Sequence, residues 1–260
     1  MDVRMDGRNA IITGGSAGLG KAIATQYVAS GANVAIVARR QETLDQAKAE
    51  ISAAGDGKVV TVAADIRLAE DCQRAVAEAE AGLGGIDILV NNAGTSQRGP
   101  FLEVSDELWQ DDLDLKLFAS IRLCRLVIPG MRERHWGRII NVLNVGAKTP
   151  PAEGAPTAVS RAAGMALMKV LANEGAPHNV LVNGMLVGKI RSEQWERRHA
   201  ADPRDITLEE WYAEAGQEQP MGRLGLAEEF ANMACFLASD AGSYVNGAAI
   251  NVDGGLCKAV

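Results

Sequence analysis

The stretch TGGSAGLG at residues 13–20 decides the fold of this chain. It follows directly on the apolar run NAIIT (9–13) and leads into a helical pattern. Gly14 permits a sharp turn, while Gly18 and Gly20 permit close approach of backbone, ligand and packed helix. A helix that begins there offers free N–H groups to a phosphate. A glycine loop between the first strand and the first helix therefore predicts a dinucleotide-binding site.

Short β-branched runs alternate with longer helical stretches along all 260 residues. Seven runs are predicted as strands: NAIIT (9–13), NVAIVA (33–38), VVTVAAD (59–65), IDILVNNAG (86–94), GRIINVL (137–143), NVLVNGML (179–186) and AAINVDGG (248–255). Continuous apolar strands with crossover helices form parallel sheets that are covered on both faces. The pattern therefore predicts an α/β fold with a doubly wound seven-stranded parallel sheet. No repeat or linker divides the chain, so we expect a single domain over residues 1–260.

Two segments depart from this rhythm. Residues 105–134 are predicted as one long helix with a cap at Ser105 and a perturbation near Pro129. Residues 188–224 are polar, and they are too long for a simple connection after a strand. Because long excursions at the carboxyl ends of strands are commonly lids or binding loops, we predict a helical lid there. The alternative is a peripheral helical pair without a ligand role.

Composition narrows the range of functions. Apolar residues make up 47% of the chain, enough for a sizeable core, and the net charge is −7. That charge argues against binding to nucleic acid or to an anionic membrane. The four cysteines are scattered without metal-ligand spacing, which predicts reduced thiols and no metal site. No signal peptide and no membrane-spanning segment is recognised, so a cytoplasmic location is expected.

The end of the second predicted strand indicates which dinucleotide binds. A ribose diol would favour a carboxylate there, whereas this chain has Arg39 and Arg40. Guanidinium groups suit a 2′-phosphate, so the sequence favours NADP(H) over NAD(H). The alternative is a solvated arginine pair at the start of a helix.

These features together resemble the short-chain dehydrogenase/reductase family, nearly from end to end. TGGSAGLG matches the family loop TGxxxGxG, NNAG (91–94) matches its motif after the fourth strand, and residues 222–255 match its C-terminal signature. The resemblance implies a Rossmann-type single domain, a nicotinamide cofactor and a small-molecule substrate. It also implies a homodimer or homotetramer that packs through the helices at 105–131 and 157–176.

The same resemblance implies which residues contact the cofactor. Asp65 stands where the family contacts adenine, and Ile190 and Ser192 stand where it contacts the nicotinamide amide. The chain departs from the family after the sixth strand, where Val187 and Gly188 replace a Pro-Gly pair. The predicted cofactor-binding residues are Gly14, Ser16, Gly18, Leu19, Gly20, Arg39, Arg40, Asp65, Ile66, Asn92, Ala93, Gly94, Arg161, Gly188, Ile190 and Ser192.

Four other residues stand where the family has its catalytic Asn, Ser, Tyr and Lys. By motif position, Thr157 replaces the Tyr and Arg161 the Lys. Asn144 replaces the Ser and Asp114 the Asn. A threonine hydroxyl does not ionise usefully and an arginine stays protonated, so neither supplies the usual proton. The resemblance therefore implies a polar pocket that lacks the family's proton donor.

Two further residues are candidate proton donors. Lys148 lies in the loop over the mouth of the predicted pocket, and Tyr212 lies in the lid. For each, a solvated loop residue is the alternative. The lid also carries cations that favour an anionic substrate unless neighbouring acidic side chains neutralise them. These cations are Lys189, Arg191, Arg197 and Arg198.

Two functions remain open from the sequence. The first is an NADP(H)-dependent oxidoreductase with a non-standard active site, acting on a small carbonyl or alcohol. The alternative is a catalytically inactive NADP(H)-binding sensor or assembly subunit. The glycine loop fits both, whereas the polar pocket and the elaborate lid favour the enzyme.

Overall fold

Seven parallel strands form the central sheet. The computed structural model describes residues 3–259, apart from the side chains of residues 193 and 194. Within that range the strands of this sheet are β1 (Asn9–Thr13), β2 (Asn33–Ala38), β3 (Val59–Ala63), β4 (Ile88–Asn91), β5 (Gly137–Asn144), β6 (Val180–Val187) and β7 (Ala249–Val252). Their order is β3-β2-β1-β4-β5-β6-β7. The predicted doubly wound sheet in a single domain is confirmed; residues 1, 2 and 260 lie outside the described range.

Helices cover both faces of the sheet. They are α1 (Gly18–Ala29), α2 (Gln41–Ser52), α3 (Ala69–Leu83), α4 (Asp106–Leu113), α5 (Ala119–Glu133), α6 (Thr157–Gly175), α7 (Glu193–Ala200), α8 (Leu208–Gln217) and α9 (Ala227–Ala238). α1, α2 and α9 pack on one face, and α3, α5 and α6 pack on the other. The strands are buried from both sides, which explains their continuous apolar sequences. None of the described helices is long and apolar enough to cross a membrane.

The predicted long helix is two α-helices joined by a π-helical turn. The Ser105 hydroxyl caps α4 by accepting a hydrogen bond from the backbone N–H of Leu108 at 3.3 Å, as predicted. The interruption lies at Asp114–Phe118, and α5 continues through Pro129. Pro129 removes one backbone donor from α5 without ending the helix, and the perturbation expected there stays a prediction. The π turn shifts the angular phase of the side chains around it.

The strand order reverses between β1 and β4, and a crevice opens there. The Asn92 side-chain amide donates to the carbonyls of Thr13 at 2.9 Å and Gly14 at 3.3 Å. The Thr13 hydroxyl accepts from the N–H groups of Asn92 and Ala93. At Gly20 an added Cβ would lie 2.2 Å from the Gly14 carbonyl oxygen, so only glycine fits. These contacts hold the glycine loop against the turn after β4.

Residues 188–224 form α7 and α8, so the predicted helical segment is present. Trp195 of α7 packs against Trp211 of α8, with ring centroids 5.6 Å apart. A short antiparallel pair that the sequence did not predict, Arg98–Gly99 with Ala155–Pro156, connects the turn after β4 to the start of α6.

Candidate active site

Four buried polar side chains meet where α4, the π-helical turn and the first turn of α6 converge. Lys116 donates from Nζ to Thr157 Oγ1 at 2.7 Å and to the carboxylate of Asp112. Ser160 donates from Oγ to Asp112 Oδ2 at 2.6 Å, and the Thr157 hydroxyl donates to Asp112 Oδ1 at 3.3 Å. None of the four residues is more than 6% exposed. We call these four residues the Lys116 cluster.

Helical spacing assembles this cluster. Asp112 and Lys116 are four residues apart across the start of the π-helical turn, and Thr157 and Ser160 are three apart in α6. The backbone N–H of Gln97 also donates to Thr157 Oγ1, at 3.1 Å. The loop after β4 is thereby tied to the same hydroxyl.

The environment of Lys116 weakens its hold on its proton. Burial and the charge of Arg161 lower the pKa of Lys116 to about 8, and the opposing effect of Asp112 is smaller. An ordinary lysine stays charged in this range, whereas a lysine with such a pKa can donate and accept protons. Burial also lowers the pKa of Arg161, to about 10. That value is still well above 7, and its guanidinium therefore remains charged at neutral pH.

The structure does not bring Asp114 into this cluster. Its carboxylate accepts hydrogen bonds from Arg122 at 3.1 Å and from Gln110 at 2.8 Å. Two residues correspond to about 200° of rotation around a helix, so Asp114 faces away from Thr157 while Lys116 faces towards it. Sequence reasoning missed Lys116; the available signal was a single cation in the apolar run LKLFA.

A cleft of about 1460 Å³ runs from the glycine loop to α7, and Asn144, Thr157 and Arg161 border it. The Arg161 guanidinium donates from Nη1 to the Val142 carbonyl at 2.7 Å. Oδ1 of Asn144 is buried and has no hydrogen-bond partner among the described residues. Such an acceptor is suited to a hydroxyl of a bound molecule.

Most of the predicted cofactor-binding residues border this cleft. They are Gly14, Ser16, Gly18, Leu19, Arg39, Arg40, Asp65, Ile66, Asn92, Ala93, Gly94, Arg161, Gly188 and Ser192. Gly20 and Ile190 lie outside its border. Gly20 packs against the glycine loop, and Ile190 is buried beside Gly225.

The two candidate proton donors are also away from the cleft border. Tyr212 is buried under the guanidinium of Arg191, 4.6 Å from its ring centroid, and burial raises the pKa of Tyr212. Lys148 is half-buried at the end of the short turn that follows β5. Neither residue contacts the Lys116 cluster.

The cleft has the features that a phosphorylated dinucleotide requires. The guanidinium groups of Arg39 and Arg40 are exposed beside it and form no hydrogen bond to another described side chain or backbone group. At Gly18, where φ is +52°, an added Cβ would meet no atom within 4 Å, so there is open space before α1. Towards the outer sheet edge, the Arg67 guanidinium holds the Asp65 carboxylate and lowers its pKa.

Comparison with known proteins shows which chains this protein is similar to. A family model described as short chain dehydrogenase matches residues 8–202. An L-sorbose reductase from Gluconobacter frateurii, solved with NADPH and L-sorbose, is 34% identical, with a TM-score of 0.95 and full coverage of both chains. A gluconate 5-dehydrogenase from Gluconobacter oxydans is 32% identical over 97% of this chain and 95% of its own.

One further solved structure is similar to this chain. It is the NADPH-bound form of a short chain oxidoreductase from Pseudomonas aeruginosa PAO1, described as containing an atypical catalytic center. It is 33% identical, with a TM-score of 0.91 and 99% coverage of both chains.

Removing one member of the buried ion pair should destabilise the protein strongly. Lys116→Met leaves the Asp112 carboxylate buried without its cation, so we expect a loss of about 3–5 kcal/mol in the free energy of unfolding. Lys116→Met combined with Asp112→Asn should recover part of that loss. Urea unfolding at pH 7 measures both variants. Lys48→Met, at an exposed position on α2, is the control and should change stability by less than about 0.5 kcal/mol. Equal losses in the single and double variants would contradict the coupling.

Proposed function

The chain belongs to the short-chain dehydrogenase/reductase family, and from that premise we propose that it is an NADP(H)-dependent oxidoreductase whose reaction proton passes through Thr157 to or from Lys116. The observation that carries this proposal is the 2.7 Å hydrogen bond from Lys116 Nζ to Thr157 Oγ1 at the cleft border. The substrate is a small carbonyl or alcohol. A nicotinamide held in the cleft would supply or accept the hydride, and the chain handles the proton.

We assign the family's four catalytic positions from this geometry. Thr157, Arg161 and Asn144 take the positions of the Tyr, Lys and Ser. Lys116, rather than Asp114, takes the position of the Asn, because it faces Thr157. The similar Pseudomonas aeruginosa protein, with its atypical catalytic center, supports departures from the usual tetrad within this family.

The proton path needs one hydroxyl rotation and one lysine. As hydride reaches the carbonyl carbon of a substrate, negative charge develops on its oxygen. The Thr157 hydroxyl donates its proton to that oxygen and takes a proton from the Lys116 ammonium, which becomes neutral. In the direction of alcohol oxidation each step reverses, and neutral Lys116 receives the proton. Thr157 relays the proton without ionising.

Two other side chains support this transfer. The charged guanidinium of Arg161 lowers the pKa of Lys116, which favours release of its proton. Asp112 opposes that effect and holds the ammonium in place. Asn144 borders the cleft, and we propose that its side-chain amide donates to the developing oxyanion.

We also propose roles for the lid and for the outer helices. Residues 188–224 close over the substrate end of the cleft, since Trp195 and Ser192 border it.

The outer faces of α5 and α6 expose apolar side chains, including Leu126, Val159 and Val170. Burial of these faces between copies of the chain supports a homodimer or homotetramer.

Arg39 should decide the preference between the two dinucleotides. A guanidinium that binds a 2′-phosphate contributes a charge-assisted hydrogen bond, so Arg39→Ala should weaken NADPH binding at least about tenfold. The affinity for NADH, which lacks this phosphate, should change by less than about threefold. Isothermal titration calorimetry with both nucleotides measures this. Equal weakening of both, or tighter binding of NADH than NADPH by the wild type, would argue against an NADP(H) site.

Removal of the Thr157 hydroxyl should stop proton delivery. Thr157→Val keeps the side-chain shape but cannot relay a proton, so kcat for ketone reduction should fall by about 10²–10⁴-fold. Thr157→Ser keeps the hydroxyl and serves as the matched control, with a kcat within about tenfold of wild type. NADPH oxidation in the presence of L-sorbose or 5-oxo-D-gluconate measures the rates. Equal rates for the Val and Ser variants would remove Thr157 from the mechanism.

A further inference from the structure

The cleft is positively charged although the protein is acidic. The whole chain carries a net charge of −7. Among the described residues, however, cationic side chains at the cleft border outnumber carboxylates eight to two. Arg67 is neutralised by both of those carboxylates, Asp65 and Asp111. Arg39 and Arg40 are accounted for by the proposed 2′-phosphate. A surplus of positive charge is therefore left elsewhere on the border.

The surplus lies at the end where chemistry occurs. Arg98, Arg197 and Arg198 border the cleft, are exposed, and form no ion pair with the side chains of residues 3–192 and 195–259. Lys189 is different, since its Nζ lies 3.5 Å from the Glu218 carboxylate. An unpaired arginine on a concave surface is suited to an anion that arrives with a ligand.

Arg98 stands beside the proton centre. In the short antiparallel pair it lies opposite Pro156, which directly precedes Thr157. Its neighbour Gln97 donates its backbone N–H to Thr157 Oγ1 at 3.1 Å. Arg98 is therefore next in sequence to a residue that contacts the Thr157 hydroxyl. The glycine loop, which suits the pyrophosphate, instead follows β1.

Arg198 faces the same cleft from α7. Trp195, Arg198 and Ala201 are spaced by three residues, and all border the cleft. The Arg198 guanidinium carbon lies 4.7 Å from the centroid of the Trp195 ring, which itself packs against Trp211. This stacking limits the freedom of the guanidinium, so less entropy is lost when it binds an anion.

We propose that the substrate carries a carboxylate, which Arg98 binds from the side of Thr157 and Arg198 binds from the lid. This rests on the proposed function and narrows its substrate class to keto acids and hydroxy acids. Two planar guanidinium groups match the geometry of a carboxylate. The carboxylate holds the carbonyl carbon in the cleft while the Thr157 hydroxyl faces the carbonyl oxygen.

The test compares matched neutral and anionic ketones on the NADP⁺-loaded protein. 5-Oxo-D-gluconate has the carbon chain of L-sorbose with a carboxylate in place of one terminal CH₂OH. 3-Oxobutanoate and its methyl ester form a second pair. Calorimetric titration should show at least one acid binding about tenfold or more tighter than its neutral partner. Arg98→Gln and Arg198→Gln should each weaken binding of that acid about tenfold and leave the neutral ligand unchanged.

Two controls establish whether the two arginines bind the carboxylate itself. Lys48→Gln removes an exposed positive charge away from the cleft and should leave acid binding unchanged. NADPH affinity should stay within about threefold in both arginine variants, whereas a larger loss in Arg198→Gln would assign that residue to the cofactor phosphates.

Equal binding of acids and neutral ketones, or binding of neither acid, would overturn the inference. If NADPH also failed to bind the wild type, the proposed function would fail as well; reduction of neutral ketones alone would leave it standing.

Discussion

The burial of one ammonium group, that of Lys116, determines which side chains must surround it. A charged lysine inside a protein needs a counter-charge and hydrogen-bond acceptors, or it loses its proton. Asp112 supplies the counter-charge, Thr157 supplies an acceptor, and Ser160 occupies the second carboxylate oxygen. These contacts join the π-helical turn to the first turn of α6. Because the compensation is incomplete, the pKa of Lys116 lies at about 8, in the range where a proton donor is effective.

In the mechanism that we propose, a threonine at the position of the family's tyrosine changes where the acid must be. A phenol carries its own acidic proton into the cleft, whereas the Thr157 hydroxyl stays close to the backbone and does not ionise. The proton then has to come from a group behind the threonine, and Lys116 lies there. Arg161 has a related effect, since its permanent charge lowers the pKa of the lysine from a short distance. The proposed assignments of Thr157, Arg161 and Lys116 are thus mutually consistent.

The parts of the molecule that could be predicted from sequence are those governed by local pattern. The strand runs and the glycine loop follow from apolar periodicity and from glycine spacing, whereas much of the predicted cleft border follows from the resemblance to the family. The assignment of Asp114 shows the limit, because residues two positions apart on a helix lie on opposite faces, so a small shift in the matched position selects the wrong side chain. The short strand pair at Arg98 and the pairing of Lys116 with Thr157 depend on contacts between distant segments. No local propensity encodes such contacts, so the lysine's role emerged only from the packed structure.

The most direct measurement is an NMR titration of Lys116. A protein labelled with ¹³C at the lysine side chains, with Lys116→Arg used to assign the signal, would report the Cε shift of this residue from pH 6 to pH 11. We expect an inflection near pH 8, and a lower one in Asp112→Asn, because the carboxylate that raises the lysine pKa is then absent. An inflection at about 10.5, the ordinary value, would show that Lys116 stays charged throughout the neutral range and would contradict its role as the proton donor.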